Sequence, residues 1–321
     1  MFSAILSHFS DRIIAGQGKD HISYNLKTLD GKGTASVYSV FPGIEIGNLV
    51  FQTSHLNPIK HAQMNIVEIN HCKEGRAECK MSDGCFQYIG EGDLFMNTLN
   101  NYSDSIELPL GYYHGIMVLI DIDIAAPVIL ELFPNIPINM QELSERFFDH
   151  DKCFLIQEKP EIQHIFSGMY TIPASARLLY YRLKIQELLL YLYFFLPSKE
   201  KPKKTYPQQQ VEIIKQIQKK ITGEPEHRFT IEDLAREYCI SPTALKSNFK
   251  GVYGVPIATY MKKYRIQQAA ILLRQTQLSV AEIAAKIGYE SQSKFGAAFK
   301  EIMKITPLEY RRKFAYTTNN F

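Results

Sequence analysis

One segment of this chain is written twice, and the duplication limits what its C-terminal third can fold into more than any other feature. The stretch TIEDLAREYCISPTALKSNFK (230–250) aligns with SVAEIAAKIGYESQSKFGAAFK (279–300). The offset is 49 residues at the start and 50 at Phe249 and Phe299, so the second copy carries one extra residue in its middle. Each copy opens with a hydroxyl residue and an acid three positions later, Thr230 with Asp233 and Ser279 with Glu282, the spacing that satisfies orphan amides at a helix start. Leu234-Ala235 and Ile283-Ala284 then supply an apolar face with a small residue in it, over which a second helix can cross closely. Ser241-Pro242 and Ser291 mark the starts of those second helices, and Leu245/Phe249 and Phe295/Phe299, four apart, fix their inward faces. Two helix-turn-helix units follow.

What faces outward on the second helices can read a duplex. Thr243, Lys246 and Ser247 in the first copy, and Gln292, Ser293, Lys294 and Ala297 in the second, are the base-reading candidates. Gln pairs with adenine in a bidentate way, Lys reads guanine, hydroxyls serve several bases, and an Ala methyl packs on thymine. Lys250 and Lys300, at the C-terminal ends, are candidates for phosphate. Charge supports this division of labour. Residues 1–200 hold 15 Lys+Arg against 23 Asp+Glu, a net of −8, whereas residues 201–321 hold 21 against 10, a net of +11. A basic module of this size seeks a polyanion, because counterions released from phosphate drive association.

With 321 residues the chain is expected to form two domains, 1–196 and 208–321, joined by a linker at 197–207 where three prolines and four lysines oppose helix. The five cysteines form neither a CxxC pair nor an even framework, and no signal peptide is visible, which fits a reducing cytoplasm. The most apolar stretch, Leu178–Leu196, is broken by Arg182, Lys184 and Glu187, which leaves only Leu188–Leu196 uncharged, too short to cross a bilayer. Between Val37 and Asp121 short apolar runs alternate with Gly- and Asp-bearing turns, with hairpin tips expected at Lys73–Gly75 and Gly90–Asp93, which predicts an antiparallel barrel or sandwich. Helical periodicity follows at 124–132, 140–148, 160–170 and 174–196, the last apolar on more than one face and therefore a candidate homodimer surface.

IAAKIGYESQSKFGAAFK (283–300), followed by Thr306-Pro307-Leu308-Glu309-Tyr310-Arg311, resembles the C-terminal signature of AraC/XylS-type transcriptional regulators, over roughly residues 209–314. Lys304 stands where that family usually has Gly. The resemblance implies two helix-turn-helix units joined by a long helix, here 257–274, with both recognition helices in successive major grooves about 34 Å apart. It implies promoter DNA, a small-molecule effector and RNA polymerase as partners, and activation as the outcome. Lys262, Lys263, Arg265, Arg311 and Arg312 join Lys250 and Lys300 as phosphate candidates. Members of the family commonly carry a cupin-like sensing barrel, and YIGEGDL (88–94) resembles a turn between two of its strands. The expected fold is thus α+β: an N-terminal cupin-like antiparallel β-barrel with a helical segment, and a C-terminal all-α domain.

Enzymatic cupins carry a His-x-His pair, which is absent here, and no nucleophile–base pairing is visible. No catalytic residue, metal or cofactor is therefore expected. Effector candidates are polar and aromatic groups in expected strands: Glu68, Arg76, Tyr88, Tyr112, Tyr113 and His114. Two rival readings remain, a cupin-type enzyme with an accessory DNA-binding domain and an architectural protein that grips any duplex.

Overall fold

The computed structural model describes residues 1–6, 11–18, 21–28, 30–56, 65–80, 84–98, 106–148, 153–195 and 205–314. Its two compact units are Met1–Thr205 and Tyr206–Phe321. Of the expected linker, residues 197–204 lie outside the described residues.

In the first unit the strands run β1 (Asp11–Gln17), β2 (His21–Lys27), β3 (Lys32–Phe41), β4 (Ile44–Gln52), β5 (His55–Leu56), β6 (Ile66–Gly75), β7 (Ala77–Lys80), β8 (Phe86–Ile89), β9 (Leu94–Thr98), β10 (Ile106–Glu107), β11 (Tyr113–Asp121) and β12 (Cys153–Ile156). They form an eight-stranded sheet in the order β1-β2-β3-β4-β11-β6-β9-β12 and a four-stranded sheet in the order β5-β10-β7-β8, with every pairing antiparallel. The expected closed barrel is corrected to two sheets. No pairing among the described residues joins β1 to β12. Lys73–Gly75 and Gly90–Asp93 are also not hairpin tips: each carries the chain from one sheet to the other. Both crossings need left-handed backbone, at Gly75 (φ 95) and Gly92 (φ 84), and a Cβ on Gly75 would lie 2.2 Å from the Tyr112 carbonyl oxygen.

Alternation along β6 sorts the core into two layers. Ile66 and Cys72 face an interior between the sheets, with Leu49, Phe51, Phe95 and Leu119 from the large sheet and Ala77, Ile89 and Leu108 from the small sheet or its flanks. Val67 and Ile69 face the opposite way, onto α2 (Ile122–Leu132), α3 (Met140–Phe148), α4 (Pro160–Ser167) and α5 (Arg177–Phe194). A short α1 (Phe2–Leu6) buries Phe2 over Gly47, where a Cβ would meet the Phe2 ring at 2.5 Å. On α5, Tyr181, Ile185, Leu188, Leu189 and Leu192 are buried, while Leu179, Leu183 and Phe194 stay 66%, 65% and 69% exposed. The buried Lys184 is neutralised by Glu187 at 2.7 Å.

The second unit is helical: α6 (Gln208–Gly223), α7 (Ile231–Glu237), α8 (Pro242–Tyr253), α9 (Ile257–Gln275), α10 (Val280–Lys286), α11 (Gln292–Met303) and α12 (Pro307–Phe314). Ile266, Ala269, Ala270 and Leu273 of α9 pack on Ile283, Ala284, Phe295 and Phe299. Among the described residues no helix is long and apolar enough to cross a membrane.

Candidate nucleic-acid interface

Local chemistry places both recognition helices. The Thr230 hydroxyl accepts from the Asp233 amide (3.1 Å), and Ser279 forms a full capping box: its hydroxyl accepts from the Glu282 amide (3.2 Å) while Glu282 accepts from the Ser279 amide (2.6 Å). That box holds the Glu282 carboxyl below its ordinary range. Ser241 and Ser291 cap α8 and α11 by accepting from Ala244 N–H (3.1 Å) and Lys294 N–H (3.2 Å). The extra residue of the second copy falls between Gly288 and Ser291, because α7 and α10 keep the 49-residue offset and α8 and α11 the 50-residue one. Helix α8 ends at Gly254 (φ 78) and α11 at Lys304 (φ 64), so the left-handed cap persists where glycine is missing.

Burial divides each recognition helix cleanly. Leu245, Phe249, Phe295 and Phe299 have no exposed surface, whereas Thr243, Lys246, Ser247 and Lys250 on α8, and Gln292, Ser293, Lys294, Ala297 and Lys300 on α11, are all exposed. Each exposed row lies along one helix, opposite the side seated in the core. Among the described residues Lys246, Lys250, Lys263 and Lys300 have no ion-pair partner within 4.0 Å; Lys294 reaches Glu290 (3.3 Å) and Lys262 reaches Glu301 (2.7 Å). Exposed pairs of this kind are worth about 0–1 kcal/mol and are readily exchanged for a phosphate.

Two of the expected phosphate residues are committed elsewhere. Arg265 donates from Nε to the Pro225 carbonyl (2.6 Å) and from Nη2 to the His227 carbonyl (3.0 Å), tying α9 to the loop before α7. Arg311 donates to the carbonyls of Leu273 (3.4 Å) and Leu278, tying α12 to the end of α9. Arg312 is exposed beside it. Sequence spacing hides these roles, since the partners stand 33 to 40 residues away.

The six effector candidates fall into separate groups in the first unit. Glu68 and Tyr113 are buried and linked through Asn70, which accepts from the Tyr113 hydroxyl (2.8 Å) and donates to Glu68 (3.4 Å). Burial raises the Tyr113 hydroxyl well above its ordinary pKa. Arg76 lies over the Tyr88 ring at 5.2 Å, and the Tyr88 hydroxyl donates to Glu78 (2.7 Å). His114 Nε2 is 3.0 Å from Asn48 Oδ1, and Tyr112 is half-buried just before β11. Grooves of about 780 and 440 Å³ open in this unit, and none of the six lines either. The residues that do line the smaller one, His71 and Tyr170 among them, carried no local signal that would single them out.

Residues 234–313 match a family model described as a helix-turn-helix domain. The chain is 34% identical over 100 residues to the transposon Tn10 TetD protein of Escherichia coli, covering 31% of this chain and 72% of that one. It is 34% identical over 101 residues to the YkgA protein of Escherichia coli, a match that spans 32% of this chain and only 42% of YkgA. A solved structure, the C-terminal domain of the response regulator AraT from Geobacillus stearothermophilus, matches at 30% identity over 34% of this chain and 91% of that one, with a TM-score of 0.33. With the helix-turn-helix family model and the TetD match, which covers more than two thirds of that relative, the chain belongs to the AraC/XylS family of transcriptional regulators.

Proposed function

We propose that this chain is a ligand-responsive, sequence-specific activator whose two recognition helices enter successive major grooves on one face of promoter DNA. The observation that carries this reading is the exposure of one polar row on each of α8 and α11 while the opposite rows, ending in Phe249 and Phe299, are sealed in the core. Thr243, Lys246, Ser247, Gln292, Ser293, Lys294 and Ala297 then read base edges, and Lys250, Lys262, Lys263, Lys300 and Arg312 hold phosphates. Arg265 and Arg311 act instead by keeping α9 and α12 in place. RNA polymerase is the partner through which a bound activator raises transcription.

The first unit serves as a cupin-like sensor. A small molecule shifts the regulator only through unequal affinity for two arrangements of it. A second copy covers the Leu179, Leu183 and Phe194 row of α5, an apolar patch suited to an isologous contact between identical helices. Leu183→Glu then yields monomer in light scattering where the parent chain is a dimer.

Titrating the full chain with its own upstream DNA and with unrelated duplex tests the central reading. Lys246→Ala relaxes the preference between the two duplexes, whereas Lys263→Ala weakens both alike and lowers the salt slope by about one. Equal affinity for both duplexes in the parent chain would instead favour an architectural protein.

A further inference from the structure

The segment expected as linker ends on a residue that belongs to the second unit. Tyr206 opens that unit and is only 7% exposed. Its ring lies against Gly251, near the end of the first recognition helix: a Cβ on Gly251 would stand 2.5 Å from Tyr206 Cε1 and closer still to Cζ and the hydroxyl oxygen. Four residues further along, the Gln210 side chain accepts from Asn248 Nδ2 at 3.1 Å. Ala244, Asn248 and Gly251 form a half-buried row on α8, between its sealed face of Leu245 and Phe249 and the exposed face that carries Ser247. Tyr206 and Gln210 thus grip one flank of the helix at two points.

The backbone does not ask for glycine at position 251. It lies inside a helix, where glycine is less favourable than alanine. The equivalent position of the second copy, 50 residues on, is Glu301 of α11. Glu301 is exposed and accepts from Lys262 of α9 at 2.7 Å, so that copy carries a long side chain where the first carries none. What the missing Cβ makes room for in the first copy is the Tyr206 ring.

The ring is also held from its own side. Pro207 stands at the N-cap of α6 with φ −56 and ψ 144, and its carbonyl accepts from the amides of Gln210 (3.0 Å) and Val211 (3.2 Å). Val211 and Ile214 are buried in turn, which fixes the helix start one residue after the proline. Tyr206 is therefore tethered to a buried helix on one side and seated on α8 on the other.

We propose that Tyr206 is a positioning residue for DNA reading: its ring on Gly251 sets the roll of α8 at which Thr243, Lys246 and Ser247 meet base edges, and it serves the first copy alone. The assignment rests on the reading of α8 and α11 as recognition helices. Leu245 and Phe249 anchor one face of α8, and the ring closes the flank toward which the helix would otherwise turn. Base readout depends on aligned hydrogen bonds and suffers from a small roll, whereas a flexible lysine keeps its phosphate.

The test uses the full chain and its own upstream DNA carrying single base-pair changes. Changes whose cost disappears in Lys246→Ala mark the half read by α8, and those whose cost disappears in Gln292→Ala mark the half read by α11. Tyr206→Ala is expected to cut discrimination in the α8 half by about tenfold and to leave the α11 half as in the parent chain. Gly251→Ala does the same, although alanine favours helix, because its Cβ displaces the ring. Tyr206→Phe, which keeps the ring, restores the α8 half. In both alanine variants the α8 amides remain protected from hydrogen exchange, since the helix is moved and not melted. A loss shared equally by both halves, full discrimination in either alanine variant, a Tyr206→Phe as poor as Tyr206→Ala, or a melted α8 would each overturn the assignment. Failure of the regulator reading shows separately, as base-pair preferences that neither Lys246→Ala nor Gln292→Ala erases.

Discussion

The two helix-turn-helix units meet the same two backbone requirements with glycine in opposite places. In the first, the turn after α7 has Cys239 at φ 53 and the end of α8 has Gly254 at φ 78; in the second, the turn after α10 has Gly288 at φ 81 and the end of α11 has Lys304 at φ 64. The left-handed positions thus belong to the fold, and each copy of the sequence relieves only one of them. Packing, by contrast, is matched: Phe249 and Phe299 are both fully buried. Phe249→Ala and Phe299→Ala should therefore each cost about 3–5 kcal/mol. Urea unfolding read by hydrogen exchange on α7–α8 and α10–α11 separately checks this, and a large inequality between the two losses would break the equivalence of the copies.

Next in size are the arginines, one serving each copy. Arg265 braces the approach to α7 through Pro225 and His227, and Arg311 braces the approach to α10 through Leu278. Removing a charged donor from such carbonyls costs on the order of 2 kcal/mol. Arg265→Ala should thus open α7 and α8 first, and Arg311→Ala α10 and α11 first, in the same exchange measurement. If instead either change lowered DNA affinity with protection intact, that residue would return to the phosphate set.

This contrast also marks how far the sequence could be read. Caps, the repeat and the inward Phe pairs lie within a few residues of one another, so Thr230, Ser241, Ser279 and Ser291 announce their helices. The arginine braces do not, because an exposed cation and a cation on a distant carbonyl look alike in one dimension. In the first unit the alternation of apolar runs marks strands from Val37 onward, but β1 and β2 carry no such mark: His21–Lys27 is as polar as apolar, and Ile13 and Ile14 on β1 are exposed. The two-sheet arrangement depends on crossings at Gly75 and Gly92 that read locally as hairpins. His71 and Tyr170, 99 residues apart, meet only in the fold.

Glycine substitution then separates the two kinds of left-handed site. Gly254→Ala should cost about 1 kcal/mol, the usual penalty for a Cβ at a left-handed cap. At Gly288 a Cβ would also stand 2.8 Å from the Glu226 carbonyl oxygen and 2.9 Å from that of Pro225, both backbone atoms that cannot swing away. Gly288→Ala should therefore cost more, about 2–3 kcal/mol. Equal losses in thermal unfolding would mean that the loop at Pro225 and Glu226 yields, and that the turn of the second copy is no tighter than a simple cap.

The smallest effects run in the stabilising direction and bear most directly on the exchange of glycines. Lys304 and Cys239 each hold φ > 0 with a Cβ, and both side chains are exposed with little packing to lose. Among the described residues the Cys239 thiol makes only a long contact with the Arg236 carbonyl, at 3.9 Å. Lys304→Gly and Cys239→Gly should each stabilise the second unit by about 0.5–1 kcal/mol, after the greater entropy of glycine in the unfolded chain is set against the relieved strain. They sit in different copies and share no hydrogen-bond partner, so the double substitution should give the sum. A gain from Lys304→Gly alone would place the residual strain of the duplication at the end of the second recognition helix. In that case the cap of α11, and not the turn of the first copy, is where this chain departs most from the two-glycine form of its repeat.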